Sequence, residues 1–161
     1  MSRQWKNDDF QREFSESEKW TNSTYLSDVK IKGSAVEIVV ELENCEPNEH
    51  ATYIAKIANQ HIKWIVSNIE MILSYVASKM TSLANQWLQE GESEMTEEDF
   101  KKRILLERIS ISGVGEFDTN IPIKDGNIIL YFFDDEIFAG HTIQVFVYEG
   151  YVLDEDPTLI G

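Results

Sequence analysis

A chain of 161 residues with 42% hydrophobic side chains is long enough for one domain with a buried core and too short for two, so residues 1–161 are expected to form a single domain. Its 29 acidic against 14 basic residues give a net charge of −15, a field that repels phosphate backbones, excludes nucleic acid as the expected partner and favours a basic protein. No run reaches the roughly 18 apolar residues of a membrane span, the N-terminus lacks a signal-peptide core and the single Cys45 allows no internal disulfide, which together predict a cytoplasmic protein with no membrane partner.

Residues 1–28 are polar with spaced aromatics, Trp5, Phe10, Phe14, Trp20 and Tyr25, and read as an ordered arm or short strands, since disordered tails carry fewer aromatics. Residues 29–42 alternate apolar and polar on both sides of Gly33-Ser34, the pattern of a β-hairpin with a tight turn. After Pro47 the apolar period lengthens from two to about three and a half. Asn48 is the expected N-cap of a first helix, with Glu49 in its first turn. The stripe Ile54, Ile57, Ala58, His61, Ile62, Ile65, Ile69, Ile72, Tyr75, Val76, Met80, Leu83, Trp87 and Leu88 is interrupted by a capping-box pattern at Ser67-Asn68-Ile69-Glu70, so two helices should meet near Ser67, the second ending at Gly91. Thr96-Glu97-Glu98-Asp99 starts a short third helix carrying Phe100, Ile104 and Leu105, and residues 48–107 form the helical middle.

Residues 108–161 return to strands. Ile109 and Ile111 alternate within Arg108 to Val114, and Asp125-Gly126 is a hairpin turn between Ile121-Pro122-Ile123 and the run from Ile128. Asn127 to Phe133 is apolar on both faces, which predicts a strand covered on both sides. It leads through the acidic turn Asp134-Asp135-Glu136 into a strand with Ile143, Val145 and Val147 on one face, a buried β-hairpin. Strands, then helices, then strands argue for an α+β fold: a mainly antiparallel sheet built from both ends of the chain, with two to three central helices on one face.

The segment Asp134-Asp135-Glu136-Ile137-Phe138-Ala139-Gly140-His141-Thr142-Ile143-Gln144-Val145, with Leu159-Ile160-Gly161 at the end, resembles the bacterial domain of unknown function 2262. The resemblance extends back over the helices and the strands before them. It departs at Ala139, where a bulkier aromatic is expected, and in the strongly acidic stretch from Tyr148 to Asp156. The resemblance implies the fold, a bacterial source and a cytoplasmic location. It carries no established activity, and an inhibitor role of the toxin-immunity type follows from it by association alone.

Candidate chemistry centres on His141, beside Asp134, Asp135 and Glu136. A carboxylate facing an imidazole fixes its tautomer and raises its basicity, the start of a general-base pair; a histidine at a hairpin base also serves to hold the turn through backbone carbonyls. No nucleophile with a recognisable setting accompanies it. A metal is not expected: His50 and His61 lie three helical turns apart, and calcium would need Asp134–Glu136 and Asp154–Asp156 to converge without the spacing of a calcium loop. Gly113-Val114-Gly115 lacks a following helix, so no cofactor is expected.

From Ile111 to Gly161 ten acidic residues face one basic residue, Lys124, a local charge of −9. Two readings follow. The first is a non-catalytic interaction module whose exposed aromatics Trp5, Trp20 and Tyr25 and acidic Asp154, Glu155 and Asp156 bind a basic protein partner. The second is an enzyme or small-ligand-binding protein with its site at His141 and the Asp134–Glu136 turn.

Overall fold

The computed structural model describes residues 3–4, 24–31, 33–42, 47–114, 127–148 and 150–161. Strands β1 (Arg3–Gln4), β2 (Thr24–Ile31) and β3 (Ser34–Leu42) are followed by helices α1 (Pro47–Ser67), α2 (Ile69–Gln86) and α3 (Glu97–Arg103). Strands β4 (Leu105–Val114), β5 (Asn127–Phe133), β6 (Thr142–Val147) and β7 (Thr158–Ile160) complete the described chain. The seven strands form one sheet in chain order. β1 with β2 and β3 with β4 are parallel pairs; the other four are antiparallel. The parallel β3–β4 pair follows from the helices, because parallel neighbours need a long crossover, which here is the whole helical middle. The expected α+β class with a mainly antiparallel sheet is what the chain adopts.

The helical stripe packs on one face of the sheet. Ile57, Ala58, Ile62 and Ile65 of α1 and Ile72, Val76, Ala77, Met80 and Ala84 of α2 are buried at spacings of three and four, which puts them on one side of each helix. They meet Val36, Ile38, Val40, Ile109, Ile111, Leu130, Phe132, Ile143 and Val145. In β4 the buried residues Leu106 and Ile109 stand three apart, and the register slips between Leu106 and Arg108. That bulge exposes Glu107 and Arg108 together and returns Ile109 to the core, where a regular strand would turn it outward.

The prediction that β5 is covered on both sides fails. Ile128, Leu130 and Phe132 are buried, Ile129 and Tyr131 are half-buried and Phe133 is exposed. Helices cover only one face, and a polar row crosses the other: Arg108 Nε pairs with Glu37 Oε1 at 2.8 Å, its guanidinium lies 5.8 Å from the Tyr131 ring, and Gln144 Nε2 donates to Tyr131 Oη at 3.4 Å.

Element boundaries shift for local reasons. The first hairpin starts at Thr24 rather than 29, because β2 pairs with β3 along its full length. α1 begins at Pro47, so Asn48 lies inside the first turn rather than at the cap; proline suits that first position, where its missing N–H has no partner to lose. The helices do break at Asn68, but without a capping box. Asn68 Nδ2 instead donates back to Trp64 O at 2.8 Å, serving the end of α1 and leaving the N-cap of α2 with no side-chain bond. α2 stops at Gln86, and Gly91 lies in the turn that follows, at φ +90. The box at Thr96 and Asp99 forms as expected. Ile104 then turns extended and Leu105 begins β4, three residues before the predicted strand. The predicted Asp125-Gly126 turn lies outside the described residues.

Candidate functional site

The turn from Asp134 to His141 joins β5 to β6, and its backbone is unusual. Asp135, Glu136 and Ala139 have φ of 49, 61 and 56, and Gly140 has 84. Left-handed backbone costs an L side chain on the order of 1 kcal/mol. One buried group over-determines it: Asp134, 1% exposed, accepts N–H bonds from Glu136 at 3.1 Å, Phe138 at 2.8 Å and Gly140 at 3.1 Å. The left-handed residues gather these N–H groups into a cradle and the Asp134 carboxylate is the anion within it. Phe138 follows into the core, edge-on to Phe100 of α3 at 6.2 Å and to Trp87 at 5.6 Å.

His141 closes the turn. Its Nδ1 lies 2.7 Å from Phe138 O, and a carbonyl can only accept, so Nδ1 carries the proton and Nε2 is the acceptor in the neutral ring. The ring is half-exposed and meets Trp87 edge-on at 5.8 Å. The carboxylates expected to face it have other partners: Asp134 is held by backbone, and Asp135 Oδ2 accepts from Arg103 Nε at 2.9 Å while its carbonyl accepts from the same guanidinium at 2.8 Å. Glu136 is exposed and lines the neighbouring groove.

Arg103, at the end of α3, was not legible as a site residue. It ties the turn to α3 and also reaches Met95 Sδ at 3.5 Å. Met95 is held in turn by Asn85, whose side chain donates to Met95 O at 3.0 Å and accepts from Met95 N at 2.8 Å. The α2–α3 loop is thus clamped at Asn85, capped at Thr96 and joined to the β5–β6 turn through Arg103. Between loop and turn lies a groove of about 420 Å³. Trp87, Leu88, Met95 and Ile137 give it apolar surface, and Glu92 and Glu136 stand on it. Trp87, placed in the apolar helical stripe by its spacing, is 39% exposed, because α2 ends one residue earlier and the ring leaves that stripe.

The acidic stretch Asp154–Asp156 is fully on the surface. Asp156 pairs with Lys79 of α2 at 3.5 Å, and Glu155 accepts from Tyr148 Oη through its carboxylate and from Tyr75 Oη at 3.0 Å through its carbonyl. It does not converge with Asp134–Glu136. The two lie at opposite ends of β6, about 20 Å of strand apart, and among the described residues no three His, Cys, Asp or Glu side chains group as metal ligands. Trp5 and Trp20 lie outside the described residues, and Tyr25 stands in β2 opposite Val40.

A second cluster was also missed. His61 of α1 is buried with its Nδ1 3.0 Å from Tyr151 Oη, and Tyr151 stacks on Trp64 at 4.5 Å. Burial pushes the Tyr151 hydroxyl above its ordinary range. The pairing spans 90 residues, so no local pattern announces it.

No described helix is long and apolar enough to cross a membrane. No curated protein and no solved structure matches the chain. Residues 13–152 match the family model DUF2262, uncharacterized protein conserved in bacteria, and since that span takes in both the helices and the Asp134–His141 turn, the chain belongs to this family.

Proposed function

We propose that the protein is a non-catalytic interaction module that binds a basic protein partner. The observation that supports this reading is the acidic loop beside the groove: Glu90, Glu92, Glu94, Glu97, Glu98 and Asp99 fall within ten residues, with no basic residue among them, and all six are exposed. Asp154, Glu155 and Asp156 add a second exposed acidic stretch at the far end of β6. Charges so placed steer a basic partner into contact and make its association fast and salt-sensitive. Asp134, Asp135 and His141 have structural partners in this reading, which leaves the turn as a scaffold. An immunity-type inhibitor covering a toxin's active site is one instance of such a module.

The test is affinity capture from a bacterial lysate at low and at physiological salt, with the parent, His141→Ala and the triple variant Asp154→Asn, Glu155→Gln, Asp156→Asn. The reading predicts a basic protein held by the parent and by His141→Ala, weakened by the triple variant and by salt. A captured protein lost with His141→Ala alone and indifferent to salt contradicts it.

A further inference from the structure

The groove between the α2–α3 loop and the β5–β6 turn has a mixed lining, in which the apolar side chains Trp87, Leu88, Met95 and Ile137 stand beside carboxylates and a helix C-terminus. Glu92 of the loop and Glu136 of the turn both line it. The C-terminus of α2 also opens on it, since Ala84, Trp87 and Leu88 line the groove, and the last turn of α2 contains no basic residue. A helix C-terminus carries partial negative charge on its unpaired carbonyls and favours a cation nearby. Arg103 also lines the groove, and its guanidinium is engaged by the Asp135 carboxylate and carbonyl. Trp87 presents an exposed ring at the same place, fixed by edge contacts to Phe138 and His141.

Long basic side chains suit this combination, because their methylene stems lie on apolar surface while the charged head stays near water and carboxylates. An exposed indole further favours a cation over its face. A volume of about 420 Å³ sits at the low end of ligand clefts, which run from roughly 300 to 1,000 Å³, and fits a short peptide segment better than a whole helix. The walls are also held in place without a partner, by Asn85 on Met95 and by Asp134 on the turn, so binding needs little ordering of the site.

We infer that this groove is the docking site for a basic segment of a partner protein, with a lysine or arginine stem against Trp87 and Met95 and its charged head between Glu92 and Glu136. The inference rests on the basic-partner reading above and assigns it a place.

The probe is a fluorescein-labelled peptide of alternating lysine and leucine, titrated by anisotropy against the parent, the double variant Glu92→Gln, Glu136→Gln, the single variant Trp87→Ala and the triple variant at Asp154–Asp156. A peptide with glutamate in place of lysine is the charge control. The double variant is expected to weaken lysine-peptide binding by about tenfold or more, and by more than the triple variant does. Trp87→Ala is expected to weaken it as well, and the double variant, which removes no buried side chain, keeps the test open if Trp87→Ala loses its fold. In the ¹H–¹⁵N spectrum, the Trp87 indole and the Met95 and Ile137 amides should shift on peptide addition. Weakening by the triple variant with the double variant unchanged overturns the groove while leaving the basic-partner reading standing. A parent that binds the two peptides alike, or neither, overturns both.

Discussion

Asp134 holds Phe138 by a buried bond, carboxylate Oδ2 to backbone nitrogen at 2.8 Å, and through it sets the turn that forms one wall of the groove. Asparagine at 134 keeps the shape but replaces one acceptor oxygen by a donor aimed at N–H groups. Asp134→Asn is therefore expected to cost about 2–4 kcal/mol, read as a lower urea midpoint with unchanged slope. An unchanged midpoint would mean that backbone and core fix the turn without the carboxylate.

Ala139 makes the opposite prediction. It sits at φ 56 and is exposed, so its methyl contributes strain and little packing. Ala139→Gly relieves that strain at the expense of a freer unfolded chain, and the balance favours stabilisation by about 0.5–1 kcal/mol. Thermal melts of the two proteins decide it, and a lower melting temperature for the glycine variant contradicts the left-handed geometry.

Tyr151 predicts the alkaline limb of stability. Burial raises its pKa above the ordinary 10.0, so above about pH 10 the unfolded chain releases a proton that the folded chain keeps. Its contribution is whole below that pH and is lost as pH rises through the folded value. Tyr151→Phe should lose the bond to His61, about 1 kcal/mol near neutrality, and flatten the fall in urea midpoint above about pH 10. Tyr75, raised chiefly by its own burial, keeps part of the slope. Parallel profiles for parent and variant would show that Tyr151 titrates alike in both states.

The capping box at α3 predicts an acid-side effect. Asp99 is held below its ordinary range first by the backbone N–H of Thr96 and then by its hydroxyl. A depressed carboxyl contributes above about pH 3.8 and loses that contribution as pH falls through the folded value. Thr96→Ala keeps the N–H at 96 and removes the hydroxyl, so it should move the Asp99 pKa part of the way back toward the ordinary value in an NMR titration, and no movement would count against the hydroxyl's share in the box.

The sequence carried local features well and long-range ones poorly. The β5–β6 hairpin, the break at Asn68 and the Thr96–Asp99 box were legible because each is set by neighbours within a few residues. The capping box read at Ser67–Glu70 failed because Ser67 is still the last helical residue of α1, which puts Asn68 at the N-cap of α2 and moves Glu70 out of the box position. β4 begins early at Leu105 because Leu105 pairs with Phe133, a partner far along the chain. The candidate site was half legible. Asp134 and His141 were singled out for their chemistry, yet both have backbone partners within six residues. Arg103 and Trp87, which build the groove, carried no signal beyond a basic residue at a helix end and an aromatic at the end of a stripe.

The central claim, association with basic partners by charge, is tested most directly by the salt dependence of the lysine–leucine peptide titration with the parent protein. Raising salt from about 50 mM to about 500 mM shortens the Debye length from roughly 14 Å to roughly 4 Å and is expected to weaken binding by tenfold or more, with the glutamate peptide failing to bind throughout. Equal affinity at both salts, or equal affinity for both peptides, would contradict the account.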